Sequence, residues 1–282
     1  MKTLCIRFDI DTPTCLAEGV PRILDLTDRM EFQATFFLSV GRAISRAGAL
    51  RRALTASRAR TPRAAAFSSM EKLGVRRYLT LALLNPEIGR SMPEVVRRLD
   101  GSAEIGLHGG LNHDTWQHGA HGWDTDRVGL ELDWALAWLA HMDIEVRGFS
   151  SPGWTQPPDL PDLLQARGFL YRADRYGTRL HGGEQERPGF YNLTTNLAGE
   201  PAGVAYLEHM RARGLSDAEI RSDFRSSLSR IGHDVVLYDH PFYAGLQALG
   251  LLEDLVNIAR DEGYTMITLA DMARGLEEGR AP

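Results

Sequence analysis

The chain has 282 residues, of which 43% are hydrophobic, and it carries a formal net charge of -5 with a pI near 6.0. This length can bury one substantial core and is near the size of one barrel domain, so we expect a single domain over residues 1–282. The excess of acidic groups argues against a general nucleic-acid binder, because such proteins need surplus Lys and Arg to displace counterions from phosphates. Nucleic acid is therefore not expected as a partner.

Cysteine content and hydropathy indicate in which cellular compartment the protein is expected. The two cysteines, Cys5 and Cys15, form neither a C-x-x-C motif nor a disulfide framework, which favours a reducing compartment. The apolar run at the N-terminus is too short for a signal peptide, and no stretch approaches the roughly 18 apolar residues of a spanning helix. We expect a cytoplasmic protein.

Short β-branched or aromatic runs alternate along the chain with longer helical patterns. The opening reads as a βαβ unit, with strands at 4–10 and 34–40 and helical spacing between them. Further strands are predicted at 103–108, 145–150, 169–174, 190–195, 234–240 and 264–269. This alternation predicts an α/β fold with a mostly parallel sheet, and the number of strands suits a barrel better than an open sheet.

Residues 41–90 interrupt this alternation as a basic insertion after the second strand. The segment holds eleven Lys or Arg against two acids, Glu71 and Glu87. One interpretation is a solvated helical hairpin that caps the barrel. The other is a surface for anionic lipid headgroups, which basic amphipathic segments bind.

Polar residues mark the ends of three predicted strands, where the loops of a parallel βα architecture open over the functional face. Asp9 and Asp11 end the first strand and, two residues apart on an extended segment, project to the same side. His108 ends another strand, with His113 just beyond it, and His240 ends a third. A catalytic divalent metal usually takes three such ligands and leaves a position for water, so Asp11, His108 and His113 form a candidate metal set.

The remaining two strand-end groups can divide acid and base work between them. Asp9 is placed to accept a proton from an attacking water, and His240 to protonate a leaving amine. An Asp-x-Asp is about as often a turn as a ligand, and a lone His is usually structural. The coincidence at three strand ends favours the catalytic interpretation, and the absence of G-x-S-x-G, P-loop and G-x-G-x-x-G motifs lowers competing ones.

These motifs resemble, in order, those of the NodB-type polysaccharide deacetylases, carbohydrate esterase family 4. The segments that carry the resemblance are Arg-Phe-Asp9-Ile-Asp11-Thr, Ala34-Thr-Phe-Phe, Glu104-Ile-Gly-Leu-His108 and the strand that ends at His240. Within that superfamily the chain is most similar to the deformylase group that acts on undecaprenyl-phosphate 4-deoxy-4-formamido-L-arabinose. That second likeness lies in Glu18-Gly-Val-Pro-Arg, Phe37-Leu-Ser-Val-Gly, Trp116-Gln, Trp123-Asp and Gly153-Trp154.

The resemblance implies a deformed (β/α) barrel of about seven strands and a metal-dependent hydrolase that removes an N-formyl or N-acetyl group from an amino sugar. The implied cofactor is a divalent metal, zinc first, with cobalt, manganese or nickel as alternatives. Asp9 would be the base, His240 the acid, and Asp11, His108 and His113 the ligands. The implied substrate is linked to a polyprenyl phosphate, which would place the enzyme at the inner face of the membrane.

The chain departs from the family pattern at two places. The family's second histidine usually falls four residues after the first, where this chain has Asn112, and His113 follows one position later. The segment that usually carries an arginine to orient the base reads Ser150-Ser-Pro-Gly-Trp154 instead. Arg147 and Arg175 are the expected stand-ins.

Two further residues are expected to line the site. Trp154 follows a glycine at a strand end and either walls a small acyl pocket or packs in the core. Asp174 ends its own strand and is expected to brace the base from behind. Together with Arg175 these residues form the predicted substrate-binding set.

Fold likeness does not fix the substrate, so two alternatives stay open. The same site could act on a soluble or polymeric N-acetylated saccharide or another amide. The chain could also be a non-catalytic binding protein on the same fold, although the presence of both Asp9 and His240 argues for an enzyme.

Overall fold

A computed structural model of the chain describes residues 2–48, 83–177, 179–180, 182–199 and 203–279. Most of the predicted basic insertion at 41–90 lies outside the described residues. Its helical character and its suggested cap over the barrel therefore remain predictions.

The described strands form one sheet with the order β6-β7-β5-β4-β3-β2-β1-β8, and β9 pairs with the start of β1. Every pairing between these strands is parallel except that of β6 with β7. The strands are β1 Lys2–Ile10, β2 Thr35–Leu38, β3 Glu104–His108, β4 Gly148–Ser150, β5 Tyr171–Tyr176, β6 Gly183–Arg187, β7 Phe190–Thr195, β8 Val235–Asp239 and β9 Tyr264–Met266.

The sheet closes on itself through Leu197, just after β7. Its amide donates a hydrogen bond to the Val236 carbonyl at 3.1 Å, and its carbonyl accepts one from the Tyr238 amide at 3.0 Å. The fold is thus a deformed (β/α) barrel, as predicted, with β1, β2, β3, β4, β5, β7 and β8 around it. The polar hairpin strand β6, which was not predicted, extends the sheet beyond β7.

Helices surround the barrel; most pack against its outside, and Leu269 and Met272 of the last helix join the apolar residues that point into it. Within the described ranges these are α1 Val20–Arg29, α2 Pro93–Ser102, α3 His113–Gly119, α4 Thr125–His141, α5 Leu160–Gln165, α6 Tyr206–Ala212, α7 Asp217–Ile231, α8 Pro241–Ala244, α9 Leu249–Asp261 and α10 Leu269–Glu277. α1 shows how they pack, since Val20, Ile23 and Leu24 form a buried stripe at helical spacing. Across these ranges, no helix combines the length and the apolar character that crossing a bilayer requires.

Strand β1 has a different environment on each face. Leu4, Ile6 and Phe8 point outward into the large core between sheet and helices, and Phe8 stacks on Phe36 with ring centroids 5.0 Å apart. The alternate residues point into the barrel, where Cys5 joins a second apolar cluster. Because alternate residues of a strand share a face, Arg7 and Asp9 also point inward, toward the carboxyl ends of the strands.

Candidate active site and metal centre

The polar residues predicted at three strand ends lie together at one mouth of the barrel. The Asp11 Oδ1 atom lies 3.2 Å from the His108 Nε2 atom and 3.4 Å from the His113 Nε2 atom. Its Oδ2 atom lies 3.1 Å from the His240 Nε2 atom. Asp9 is close by, with its Oδ2 atom 3.8 Å from His108 Nε2.

Asp11, His108 and His113 fit a divalent metal. Each offers one ligand atom, and the three atoms lie within 4.8 Å of one another. Ligand atoms around tetrahedral zinc lie roughly 3.3–3.5 Å apart, since each bond is about 2.0–2.1 Å long. Asp11 Oδ1 and His113 Nε2 are buried and make no well-formed hydrogen bond within the described part of the chain. An ion there would satisfy both atoms.

Neighbouring strands orient His108. It pairs with Ser150 across β3 and β4, and its Nδ1 atom lies 3.0 Å from the Ser150 carbonyl oxygen and 2.6 Å from Ser150 Oγ. These contacts direct Nε2 toward Asp11, as second partners of metal-binding histidines commonly do. Burial alone would lower the pKa of His108, but the Asp9 and Asp11 carboxylates outweigh it and raise that pKa.

The carboxylate of Asp11 stays ionised. Burial opposes this, yet the nearby His113 and His240 hold the pKa of Asp11 well below its ordinary value. An ionised oxygen is the form that a metal binds.

Helix α3 explains why His113, rather than Asn112, faces Asp11. Asn112 caps the helix, because its side-chain oxygen accepts a hydrogen bond from the Thr115 amide at 3.0 Å. Its amide group also donates to the Ile44 carbonyl at 2.9 Å, and the His113 amide donates to the Arg42 carbonyl at 2.8 Å. The capping residue is thus committed to the backbone, and the first helical residue faces Asp11.

The arginine that binds Asp9, the candidate base, belongs to β1 and is neither of the two predicted stand-ins. Arg7 is fully buried, and its Nε and Nη2 atoms donate to the two Asp9 carboxylate oxygens at 2.9 and 2.8 Å. Arg147 instead pairs with Glu145 at the surface, and Arg175 pairs with Glu184 at 2.9 Å. The arginine that binds Asp9 thus lies two residues before it on β1, and neither expected stand-in takes that position.

The turn after β4 brings Trp154 beside this ion pair. The Trp154 ring covers the Arg7 guanidinium at 4.5 Å, and its Nε1 atom donates to the Gly203 carbonyl at 2.9 Å. Gly153 and Trp154 both have φ near +60°, a conformation that glycine adopts readily and tryptophan rarely. Trp154 therefore lies beside the Arg7–Asp9 pair, and it is only partly buried.

Asp174 supports that turn rather than the base itself. Its Oδ1 and Oδ2 atoms accept hydrogen bonds from the Ser151 amide at 2.6 Å and the Ser151 hydroxyl at 2.8 Å. Burial raises the pKa of Asp174, although Arg172 and these bonds oppose the shift. Asp174 thus holds Ser151, three residues before Trp154.

On the opposite side of the mouth, two residues that sequence reasoning missed flank His240. The Tyr238 hydroxyl lies 3.0 Å from its Nε2 atom, and the buried Glu208 carboxylate of α6 lies 3.8 Å from its Nδ1 atom. Asp239 accepts bonds from the His240 amide at 2.8 Å and the Leu207 amide at 2.7 Å, which ties α6 to β8. Burial raises the pKa of Asp239 to about 7.

No family model matches the sequence. Among solved structures, the chain is similar to a Mycobacterium smegmatis protein assigned as a polysaccharide deacetylase, at 17% identity and TM-score 0.65, over 100% of this chain and 92% of that one. A Pseudomonas aeruginosa PAO1 protein assigned likewise has 14% identity and TM-score 0.63, over 99% and 92%. The Puue allantoinase has 14% identity and TM-score 0.61, over 99% and 92%. These likenesses show that the chain shares the deformed (β/α) barrel fold of these proteins.

Proposed function

We propose that this protein is a metal-dependent hydrolase that removes an N-formyl or N-acetyl group from an amino sugar. The observation that carries the proposal is the convergence of a metal-binding set, an arginine-held carboxylate and a histidine at one barrel mouth. The names of two structurally similar proteins, both assigned as polysaccharide deacetylases, support the class of reaction.

Each group has one task in amide hydrolysis. Asp11, His108 and His113 would hold a divalent ion, which would supply Lewis-acid chemistry at the attacked carbonyl. Asp9 accepts the proton that the attacking water loses, and Arg7 keeps both Asp9 oxygens fixed in direction. The water oxygen bonds to the acyl carbon, the carbon–nitrogen bond breaks, and His240 supplies the proton that the leaving nitrogen needs.

The test is metal content together with hydrolysis of N-formyl and N-acetyl amino sugars. We expect near-stoichiometric metal in the wild type, with both metal and activity lost in His108→Ala and His113→Ala. Asp9→Asn should keep the metal and lose activity, since it removes the carboxylate that accepts the proton; some loss of stability is also expected, because the buried Arg7 loses its charged partner. A wild type that binds no divalent metal after loading would contradict the proposal and favour the non-catalytic alternative.

We further propose a sugar linked to a polyprenyl phosphate as substrate, and zinc as the metal. Near the mouth, Leu111 is 37% exposed two residues before His113, and Leu83 and Leu84, at the end of the basic insertion, are 71% and 70% exposed. Apolar side chains beside arginines suit the boundary between lipid headgroups and acyl chains. Such a surface would hold the enzyme at the inner face of the membrane.

A further inference from the structure

Tyr176 ends β5 at the mouth of the barrel, close to the Arg7–Asp9 pair. Its ring contacts the Trp154 ring, with centroids 4.9 Å apart. The residue is 42% exposed, although most large apolar side chains of the described residues are buried. An aromatic ring that stays exposed in a concave site indicates a contact surface for a ligand.

Strict alternation along β5 would turn Tyr176 away from the mouth. Tyr171 and Ala173 point into the barrel, where both join the inner apolar cluster. Since side chains alternate between the faces of a strand, Tyr176 would then point outward. Between Arg172 and Arg175, however, the register shifts, because β5 advances by three residues and β7 by two. Such a β-bulge reverses the alternation beyond it, and bulges are common next to active sites.

The partner of Tyr176 on β7 agrees with this direction. Tyr176 pairs with Thr195, whose hydroxyl accepts a hydrogen bond from Arg7 Nη1 at 3.2 Å inside the barrel. Paired residues on adjacent strands point to the same face of a sheet. The Tyr176 side chain therefore faces the mouth of the barrel.

Trp154 is the second ring of this aromatic surface. Its ring is tilted by 51° against that of Tyr176 and lies over the Arg7 guanidinium at 4.5 Å. Its φ of +60° is a conformation that tryptophan rarely adopts. Such backbone conformations cost free energy and cluster at ligand sites. A bulge in one strand and an unusual turn after another thus place two rings side by side at the mouth.

We propose that Tyr176 and Trp154 form a stacking surface for the sugar ring, and that Tyr176 thereby favours saccharide amides over other amides; this rests on the proposed function. The C–H groups on one face of a sugar ring match the face of an aromatic ring, while the sugar hydroxyls stay in contact with water. Because Trp154 adjoins the Arg7–Asp9 pair, a sugar held on these rings has its N-acyl group close to the candidate base.

The test compares two amides with the same acyl group in the metal-loaded protein, one on an amino sugar and one on an acyclic amine. The sugar ring takes no part in bond breaking, so stacking stabilises the bound substrate and the transition state alike. We expect Tyr176→Leu to raise KM for the sugar amide by about 10-fold and to leave its kcat unchanged. Metal content and the KM for the acyclic amide should not change.

Tyr176→Phe is the matched control, because it keeps the ring and removes only the hydroxyl, and its KM for the sugar amide should equal that of the wild type. An unchanged KM for the sugar amide in Tyr176→Leu would overturn the stacking surface. So would a fall in kcat alone, or equal changes for both amides, since Tyr176 would then only support Trp154. These results leave the hydrolase in place, whereas a wild type that hydrolyses neither amide would overturn the proposed function and the stacking surface with it.

Discussion

Arg7 and Asp9 form a bidentate ion pair in the site. Both are buried, and the guanidinium fork matches the two carboxylate oxygens as well as the Ala173 carbonyl and the Thr195 hydroxyl. A buried pair gains little net stability over apolar residues, yet it becomes costly when one partner is changed. The pair therefore matters for the orientation of the Asp9 carboxylate rather than for stability.

We expect Arg7→Lys to lower kcat/KM by about 10-fold to 100-fold and the free energy of unfolding by about 1–3 kcal/mol, because an ammonium cannot replace the fork and leaves buried acceptors unsatisfied. Arg147→Lys is the control, since Arg147 is exposed and should shift stability by less than about 0.5 kcal/mol. Enzyme assays and urea unfolding of both variants check this. Wild-type turnover in Arg7→Lys would show that the base does not need the fork.

The sequence indicates the acids and histidines of the site but not this arginine. Asp9, Asp11, His108 and His240 are visible because polar residues coincide at the ends of three predicted strands, where functional groups collect in a parallel βα fold. Arg7 lies inside the strand between Ile6 and Phe8, where a charge looks like part of the alternation. Its spacing of two residues from Asp9 is the pattern that could have revealed it.

At the scale of elements, the start of α3 positions His113, the third residue of the candidate metal set. Asn112 caps the helix and also bonds the Ile44 carbonyl, so it fixes the position of His113 from two directions. The helix has only seven residues, and its cap is therefore a large part of its stability. Loss of the cap should therefore lower the affinity for the metal while the protein stays folded.

We expect Asn112→Ala to weaken metal binding by about 10-fold, as changes behind a ligand typically do, and to cost about 1 kcal/mol. Ser216→Ala is the matched control, because Ser216 caps α7 in a reciprocal capping box with Glu219. It should cost a similar amount without altering metal affinity. Competition with a chelating dye measures the metal affinity, and thermal unfolding measures the change in stability. Equal metal affinities in Asn112→Ala and the wild type would show that the cap does not position His113.

Most strands are predictable because their burial leaves long apolar runs, and β7 was predicted with its observed bounds. β6 was missed because Gly183–Arg187 is polar and largely exposed at the antiparallel edge of the sheet, where no apolar face is required. Glu208 was missed for a different reason. It belongs to the connection between β7 and β8, and only the three-dimensional fold brings it behind His240.

At the scale of the molecule, charge is unevenly distributed. The chain has a net charge of -5, yet residues 41–90 hold eleven of its 32 Lys and Arg. Overall repulsion from an anionic membrane would thus be opposed by local attraction, at about 1 kcal/mol for each basic group near the surface. The proposed lipid-linked substrate depends on this local attraction.

We expect wild-type protein to bind vesicles that contain anionic lipid at low salt, and less so at high salt. Changing Arg51, Arg52, Arg58, Arg60 and Arg63 to Gln should abolish this binding and slow hydrolysis of a lipid-phosphate-linked sugar. Hydrolysis of a soluble analogue should be unchanged. The control changes Arg221, Arg225 and Arg230 of α7 to Gln, which removes positive charge elsewhere and should leave vesicle binding in place. Unchanged vesicle binding in the five-residue variant would reject the hypothesis that the basic insertion binds a membrane.

The position of Arg7 also bears on how this fold can diversify. Arg7 and Asp9 are two residues apart on β1, which pairs with three other strands. Both residues are therefore inherited as one short stretch of sequence. The turn after β4 therefore does not have to supply an arginine that binds Asp9. If the proposed function holds, positions of this turn other than Trp154, whose ring covers Arg7, can therefore change to admit a different acyl group without altering how Asp9 is held.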